Sequence, residues 1–386
     1  MIDGARELSS IARAAAIVPP RTIAVPARTA IPVVLRATEA EAAGARMRVG
    51  GMRIVDRAIR QLARLRDARV VIATDGSIPL PRRLPENVER RELKGEVTSA
   101  LAALHQELGE ETTTVGADTV WLQPGRFDKG IKVVDAASRA AASAAVFADL
   151  QRDAGGILDR MINRRVSVLL TRVLFAKLPI LSTSPSLLTL AAGFVGVYGA
   201  LLIATGTSPN VVAGFALLQG YVIADGCAAV LARLRLHQSS LGAWLDTMIG
   251  DFISIVLILA VGRALWTHGG TFLDMKMAGT GAALTLLYAV VCYRELVRQG
   301  EGDVTKLRWW FAYGQPLRTV SGAGSRSIRV VTMLGRRDFV IAAGLGLALF
   351  DQLPIVLLLL LIVAVSRAAA ALVQLFTPDW RIRPPV

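Results

Sequence analysis

The sequence is poor in cysteine and in acidic residues, and its first residues do not predict a secretory signal. Only Cys227 and Cys292 are present, so neither a disulfide framework nor a cysteine-based zinc site is expected. Residues 1–20 contain no apolar core followed by a small-residue cleavage site, which argues against secretion of the N-terminal half. Asp and Glu number 30 against 44 Lys and Arg, leaving a net charge of +14.

The composition is apolar as well as basic. Hydrophobic residues make up 53% of the 386 residues and charged residues 19%, which excludes a disordered chain and argues against an ordinary soluble enzyme. A nucleic-acid-binding protein would be basic without being so apolar, so no nucleic-acid partner is expected. The combination predicts an integral protein of an inner or plasma membrane, with its basic side in the cytoplasm.

Charge density divides the chain into two halves. Residues 1–184 hold 28 basic and 20 acidic residues, whereas residues 185–386 hold 16 and 10. This predicts a soluble first half and a membrane-embedded second half. The predicted organisation is a flexible lead-in, a cytoplasmic α/β domain, juxtamembrane amphipathic helices and a membrane domain, at 1–29, 30–150, 151–184 and 185–386.

Within 30–150, patterns typical of strands alternate with patterns typical of helices. The predicted strands are Ala30–Arg36, Ala68–Thr74, Val88–Leu93 and Thr112–Leu122. The predicted helices are Met52–Leu65, with arginines on its polar face, and Glu96–Leu108. Such alternation indicates a mostly parallel sheet.

The second half predicts six transmembrane helices. They lie near 185–206, 209–232, 243–266, 278–297, 337–350 and 353–376. Basic residues cluster in every second connection, including nine against four acids over 293–338, so both termini are predicted to be cytoplasmic. The basic segment 160–177 predicts a helix on the membrane surface, or alternatively a solvated helix face.

Acidic residues within predicted spans are costly and often functional. Asp225 lies near the end of the second span, and Asp246 and Asp251 lie near the start of the third. Because a short loop joins these helices, Asp225 and Asp246 are expected to face each other, where substrate phosphates would help them hold Mg²⁺. The alternative is that Arg233 or Arg235 neutralises the two acids at the membrane edge.

The same segment resembles the signature of the CDP-alcohol phosphotransferase family, D-x2-D-G-x2-A-R-x8-G-x3-D-x3-D. Asp225 matches the first aspartate, Ala232 and Arg233 match the Ala-Arg pair, and Gly242 and Asp246 match the glycine and the third aspartate. The GAWLD sequence around Asp246 is similar to that of members that make inositol-phosphate esters. The resemblance covers about 155–376.

Three further segments are similar to parts of that family. Ser184 to Thr189 resembles the start of the first span, Asn163-Arg164-Arg165 resembles a juxtamembrane motif, and Arg336-Arg337-Asp338 resembles the start of the fifth span. The resemblance implies six spans, a homodimer and a contact with the lipid bilayer.

The activity that the resemblance implies is transfer of a phosphate-linked alcohol from a CDP-alcohol to an alcohol or phosphoalcohol acceptor, with release of CMP. The products would be phospholipids or inositol-phosphate esters. By the resemblance, Asp225 and Asp246 would hold Mg²⁺ or Mn²⁺. The residues implied in nucleotide binding are Ala232, Arg233 and Gly242, and those implied in binding the acceptor or head-group phosphate are Arg165, Arg336 and Arg337.

The signature is incomplete at three positions, occupied by Ala228, Ala229 and Gly250. The family's base falls on Gly250, and Asp251 is a weak substitute because one residue along a helix rotates the side chain by about 100°. The catalytic residue is therefore unknown. Two hypotheses follow: a transferase with impaired activity, or a catalytically silent relative that binds a lipid or a protein partner. A transporter-like bundle is disfavoured because the acids form a single cluster near a cytoplasmic loop.

The N-terminal half resembles a sugar-phosphate nucleotidyltransferase domain, which some members carry as a fusion. Residues 43–54 are similar to its glycine-rich start, and Val115 to Asp118 is similar to its metal-binding strand, but the G-x-G-x-R spacing is absent. The alternative is an unrelated α/β domain with ordinary turn glycines. The resemblance implies a degenerate nucleotide site.

Overall fold

The computed structural model describes residues 31–65, 68–109, 112–122, 127–152, 158–174, 184–237, 239–299, 304, 307–310 and 336–377. They form an N-terminal α/β domain followed by a bundle of long helices. The predicted lead-in, 1–29, lies outside the described residues.

The α/β domain alternates strands and helices as its sequence pattern predicts. Its strands are β1 (Ile31–Ala37), β2 (Arg48–Val49), β3 (Met52–Arg53), β4 (Ala68–Thr74), β5 (Val88–Glu92), β6 (Thr113–Gly116), β7 (Thr119–Val120) and β8 (Ile131–Lys132). Its helices are α1 (Glu39–Arg46), α2 (Ile54–Leu62), α3 (Val97–Leu108) and α4 (Ala136–Arg152).

The main sheet has four strands in the order β5-β4-β1-β6, and every pair is parallel. The central strands β1 and β4 are buried on both faces, which explains their nearly continuous runs of Val, Leu and Ile. The predicted mostly parallel sheet is thus confirmed. The predicted strand Thr112–Leu122 is two strands, because the chain turns at Ala117–Asp118 and β7 pairs with β8 outside the main sheet.

The second half consists of α5 (Arg164–Val173), α6 (Pro185–Ala204), α7 (Ser208–Leu234), α8 (Ser240–Thr267), α9 (Phe272–Gln299), α10 (Arg337–Ala348) and α11 (Leu353–Leu375). Five of these helices, α6 to α9 and α11, are long and apolar enough to cross a membrane. Large apolar side chains such as Phe194, Tyr198 and Leu286 remain exposed on their outer faces, as expected for contact with lipid.

The fifth predicted span, at 337–350, is not confirmed. Helix α10 has 12 residues, or about 18 Å at 1.5 Å per residue, whereas a bilayer core is about 30 Å thick. Gly344 on α10 packs against the ring of Phe215 on α7, so the short helix is held within the bundle. Six spans, cytoplasmic termini and the type of membrane stay predictions.

The bundle is organised around α7, which contacts α5, α6 and α10. Helices α6 and α7 approach so closely that a side chain on Gly199 would overlap the Gly214 carbonyl, and one on Gly214 would overlap the Gly199 carbonyl. Small residues permit such close backbone contact in membrane bundles. Helix α5 is anchored on α7 by a hydrogen bond of 2.8 Å from the Ser167 hydroxyl to the Ile223 carbonyl.

Candidate functional site

The candidate site lies where α7, α8 and α10 meet. Asp225 projects from α7 and Asp246 from the first two turns of α8, close enough for their carboxyl groups to interact electrostatically. The short connection after Leu234 returns the chain alongside α7 and produces this contact. Asp225 is largely buried, whereas Asp246 is exposed. The expected juxtaposition of the two aspartates is therefore present.

A third charged group, Arg337, joins the pair from the start of α10. Its Nη2 atom lies 3.2 Å from Oδ2 of Asp225. The guanidinium carbon also lies 5.1 Å from the ring centroid of Tyr221, which precedes Asp225 by one helical turn. The observed partner of Asp225 is therefore Arg337, which comes from a helix 112 residues later in the chain, rather than Arg233 or Arg235.

The two positions where the family signature would require further aspartates have different surroundings. Gly250 is buried, and a side chain at this position would overlap the guanidinium of Arg337. Ala228 is buried in a small apolar cluster with Leu188 and Cys227. Neither position supplies a ligand for a cation, and Ala229 is exposed and apolar.

Asp251, the weak substitute for the missing base, is directed toward α9. Its Oδ2 atom accepts a hydrogen bond of 2.9 Å from the hydroxyl of Tyr293. The neighbouring residue Gly250 packs against Arg337 on a different side of α8, as the rotation of about 100° per residue requires. Asp251 therefore makes a separate polar contact between α8 and α9.

The residues implied in nucleotide binding lie around the connection between α7 and α8. Ala232 and Arg233 are half-buried in the last turn of α7. The Gly242 amide donates a hydrogen bond of 3.0 Å to the Ser239 hydroxyl, which caps α8. A side chain on Gly242 would lie within 3.6 Å of the Ser186 hydroxyl, so this loop also approaches the start of α6.

The three arginines implied in phosphate binding are not alike. Arg165 is exposed on α5. Arg336 forms an ion pair with Asp338 at 3.1 Å, whereas Arg337 pairs with Asp225. Adjacent residues at the start of α10 thus hold different partners.

Divalent metal fits this arrangement poorly. Among the described residues no group of three or more His, Cys, Asp or Glu side chains is placed to hold a metal ion. Of the two aspartates, Asp225 already forms an ion pair with Arg337. A guanidinium beside the pair repels a second cation and withdraws one carboxylate from coordination.

A cleft extends from Arg337 between α8, α9, α10 and α11. It is narrow, with a cavity volume of about 30 Å³. The walls are mostly apolar, with Ser254 and Thr285 as neutral polar groups and with Arg337 and Arg367 as cations. The Arg367 guanidinium also lies over the ring of Tyr288, 5.4 Å from its centroid. The two guanidinium groups that line the cleft are suited to donate hydrogen bonds to an anionic group.

In the N-terminal domain, two buried carboxylates lie at the carboxyl ends of β1 and β6. Glu41 pairs with Arg36 at 2.6 Å and accepts a 2.5 Å hydrogen bond from the Thr38 hydroxyl. Asp118 lies 3.7 Å from the ammonium of Lys132, yet burial raises the pKa of Asp118 above its ordinary value, with the nearby Glu41 charge adding to that effect.

The segment that resembles a nucleotidyltransferase start contacts the helical bundle. Gly50 and Gly51 form the turn between β2 and β3 with positive φ angles of 59° and 79°. Side chains at these positions would overlap Leu234 and the guanidinium of Arg235. The glycines thus permit a close approach between the N-terminal domain and the end of α7.

Three arginines on α2 and just beyond its end strengthen that approach. Arg57, Arg60 and Arg64 donate hydrogen bonds of 2.5, 3.1 and 2.7 Å to three consecutive carbonyls, at positions 234, 235 and 236. These carbonyls are at the C-terminal end of α7, where cations are favourable. Burial, together with the charge of Arg235, lowers the pKa of Arg57 to about 10, so it remains protonated at neutral pH.

Two of these relationships are not evident from the sequence. The family resemblance implies an acceptor phosphate as the partner of Arg337, whereas the structure pairs it with Asp225. The arginines on one face of the helix near 52–65 are predictable, but a periodic pattern does not identify the surface that such a face contacts. The one available signal was the i, i+3, i+7 spacing of Arg57, Arg60 and Arg64.

No protein-family model matches the chain, and no curated protein matches it significantly.

Proposed function

We propose that this chain is an integral membrane protein with a CDP-alcohol phosphotransferase-like bundle that binds a phosphate-bearing lipid and does not perform the transfer reaction. The observation that carries the proposal is the cleft that begins at Arg337 and continues to Arg367 between apolar walls. A guanidinium presents several N–H donors in one plane and suits a phosphate group, while the apolar walls suit an acyl chain.

The loss of transfer chemistry is supported by the incomplete carboxylate set. Removal of a proton from the attacking alcohol accelerates such reactions by about 10²–10⁴-fold, and Gly250 has no group for this step. Ala228 and Gly250 also remove two negative charges that would attract a metal ion to a diphosphate.

A second candidate is the Mg²⁺- or Mn²⁺-dependent transferase itself. It is favoured by one observation, the contact between Asp225 and Asp246. In this candidate the donor is a CDP-alcohol, the acceptor is an alcohol or phosphoalcohol, and Ala232, Arg233 and Gly242 line the nucleotide site. The ion pair between Arg337 and Asp225 gives it less support than the binding function has.

Both candidates include an inner or plasma membrane location, cytoplasmic termini and a homodimer. The N-terminal domain would be a degenerate nucleotidyltransferase-like domain in either case. Its support is the parallel sheet with a buried aspartate, Asp118, after strand β6.

The test uses the full-length protein purified in detergent. Calorimetric titration with CDP in the presence of Mg²⁺ should show no binding at millimolar concentration, and a CDP-alcohol assay should show no CMP release. Titration with short-chain phosphatidate should show binding that Arg337→Gln weakens about tenfold or more, whereas short-chain diacylglycerol and inorganic phosphate should bind weakly.

The controls separate the two candidates. CDP binding that requires Mg²⁺ and is lost in Asp246→Asn would support the transferase and overturn the binding proposal. Equal affinity for phosphatidate and diacylglycerol would show that the guanidinium groups do not recognise the phosphate.

A further inference from the structure

We propose that the guanidinium of Arg337 is the resident cation of the Asp225–Asp246 carboxylate pair, and that this side chain occupies the place where the family resemblance implies a metal ion. The inference rests on the proposed function, in which the site has no transfer chemistry. In this arrangement Arg337 supplies the positive charge and Gly250 leaves the space for its guanidinium, a combination that the family signature does not contain.

The first support is the geometry of Arg337. Its Nη2 atom lies 3.2 Å from Oδ2 of Asp225, and the guanidinium lies over the ring of Tyr221 at 5.1 Å. Tyr221 and Asp225 are four residues apart on α7, so they present a ring and a carboxylate to the same group. A planar, weakly hydrated cation is well suited to this combination of ion pair and aromatic face.

The second support is the shape of the space at Gly250. A β-carbon at position 250 would overlap Nη1 of Arg337, so the guanidinium fills the volume that any larger residue would use. The resemblance requires an aspartate at this position. Gly250 and Arg337 are therefore mutually dependent, because an aspartate there would require the guanidinium to move.

The third support is the local charge. Asp225 and Asp246 bring two negative charges, and Arg337 supplies one positive charge from within the protein. The positions where two further aspartates are implied are Ala228 and Gly250. A site with fewer carboxylates and an internal guanidinium has less attraction for a divalent cation.

Arg336 provides a matched control. It is adjacent to Arg337 and has the same charge, but its guanidinium pairs with Asp338 at 3.1 Å. A variant of Arg336 changes the net charge equally without vacating the space beside Gly250.

The experiment measures Mn²⁺ binding to the full-length protein in detergent by electron paramagnetic resonance. The wild type and Arg336→Ala should show no site with a dissociation constant below the millimolar range. Arg337→Ala should gain one Mn²⁺ site that binds at least tenfold more tightly than any site in the wild type. Adding Asp246→Asn to that variant should remove the new site. Arg337→Gln, which keeps a polar side chain but removes the guanidinium, provides the same test if the alanine variant does not fold.

A double-mutant cycle gives an independent measurement. Gly250→Ala should lower the thermal midpoint in the wild type but have a much smaller effect in the Arg337→Gln background, because the overlap is then relieved. Additive effects would overturn the inference. It would also be overturned by tight Mn²⁺ binding to the wild type that depends on Asp246, or by folded Arg337 variants that gain no Mn²⁺ site.

The outcomes distinguish this inference from the proposed function. Metal-independent CMP release by the wild type would contradict the silent function and leave the Arg337 assignment intact. Failure to bind phosphatidate would contradict the lipid-binding part of the proposed function and would also leave the Arg337 assignment intact.

Discussion

Arg57 of helix α2 donates a hydrogen bond of 2.5 Å from Nη2 to the carbonyl oxygen of Leu234, the last residue of α7. The contact joins residues 177 positions apart and links the N-terminal domain to the helix that carries Asp225. Arg57 is almost entirely buried, so its charge is retained because the helix end supplies a partner.

Arg57→Ala should destabilise the protein by about 2 kcal/mol, since it removes a charged donor and leaves a buried carbonyl without that partner. Arg60→Ala should cost less than about 1 kcal/mol, because its bond to the Arg235 carbonyl is longer and less buried. Equilibrium unfolding of the detergent-solubilised protein, followed by tryptophan fluorescence, provides both values. Equal losses in the free energy of unfolding would contradict the conclusion that the buried Arg57 hydrogen bond stabilises the protein more than the Arg60 bond does.

Two glycines of α7 should respond oppositely to alanine. Gly214→Ala should cost about 1–3 kcal/mol, because the new methyl group would overlap the Gly199 carbonyl on α6. Gly220→Ala has open space around it and should be neutral or stabilising by about 0.5–1 kcal/mol. Thermal unfolding of the two variants measures the difference, and similar midpoints would argue against close packing of α6 on α7.

Asp118 and Asp75 should give opposite pH dependences of stability. Because the folded-state pKa of Asp118 is raised, its contribution to stability is present at low pH and is lost as the pH rises through that value. Asp118→Asn should therefore stabilise the protein relative to the wild type at pH 7, and the gain should shrink toward pH 4. Thermal midpoints across this range provide the measurement.

Asp75→Asn is the control for that series. Burial acts to raise the pKa of Asp75, but hydrogen bonds from Ser77 and from the Glu39 amide outweigh it and lower the pKa. Stability from a lowered pKa is present above the unfolded value and is lost as the pH falls through the folded one. The Asp75→Asn variant should be less stable than the wild type at pH 7. A gain of stability at pH 7 would contradict the lowered pKa of Asp75.

The predicted topology can be tested with cysteine labelling. Cys227 and Cys292 are both buried, so the wild type should react slowly with a membrane-impermeant maleimide. His237 and His268 are exposed at opposite ends of α8. His237→Cys should be labelled only from the cytoplasmic side and His268→Cys only from the other side. Labelling of both from one side would contradict a transmembrane α8.

The sequence by itself determined the apolar helices and the alternating domain. Ala68–Thr74 is a strand as its residues predict, and Ser208–Leu234 is a helix that extends the predicted span at 209–232. These elements follow from local periodicity and from the length needed to cross a bilayer. The proximity of Asp225 and Asp246 was also predictable, because a short loop requires the two helices that it joins to lie side by side.

Only the tertiary structure determined which charge meets which. Arg336 and Arg337 are neighbours with the same side chain, yet Arg336 has an extended backbone just before α10 and pairs with Asp338, whereas Arg337 is the first residue of the helix and pairs with Asp225. The packing of Arg337 against Gly250 and the contact of Arg57 with α7 likewise depend on distant segments coming together. Local pattern fixes which elements form, whereas burial and electrostatics in the assembled bundle fix their partners.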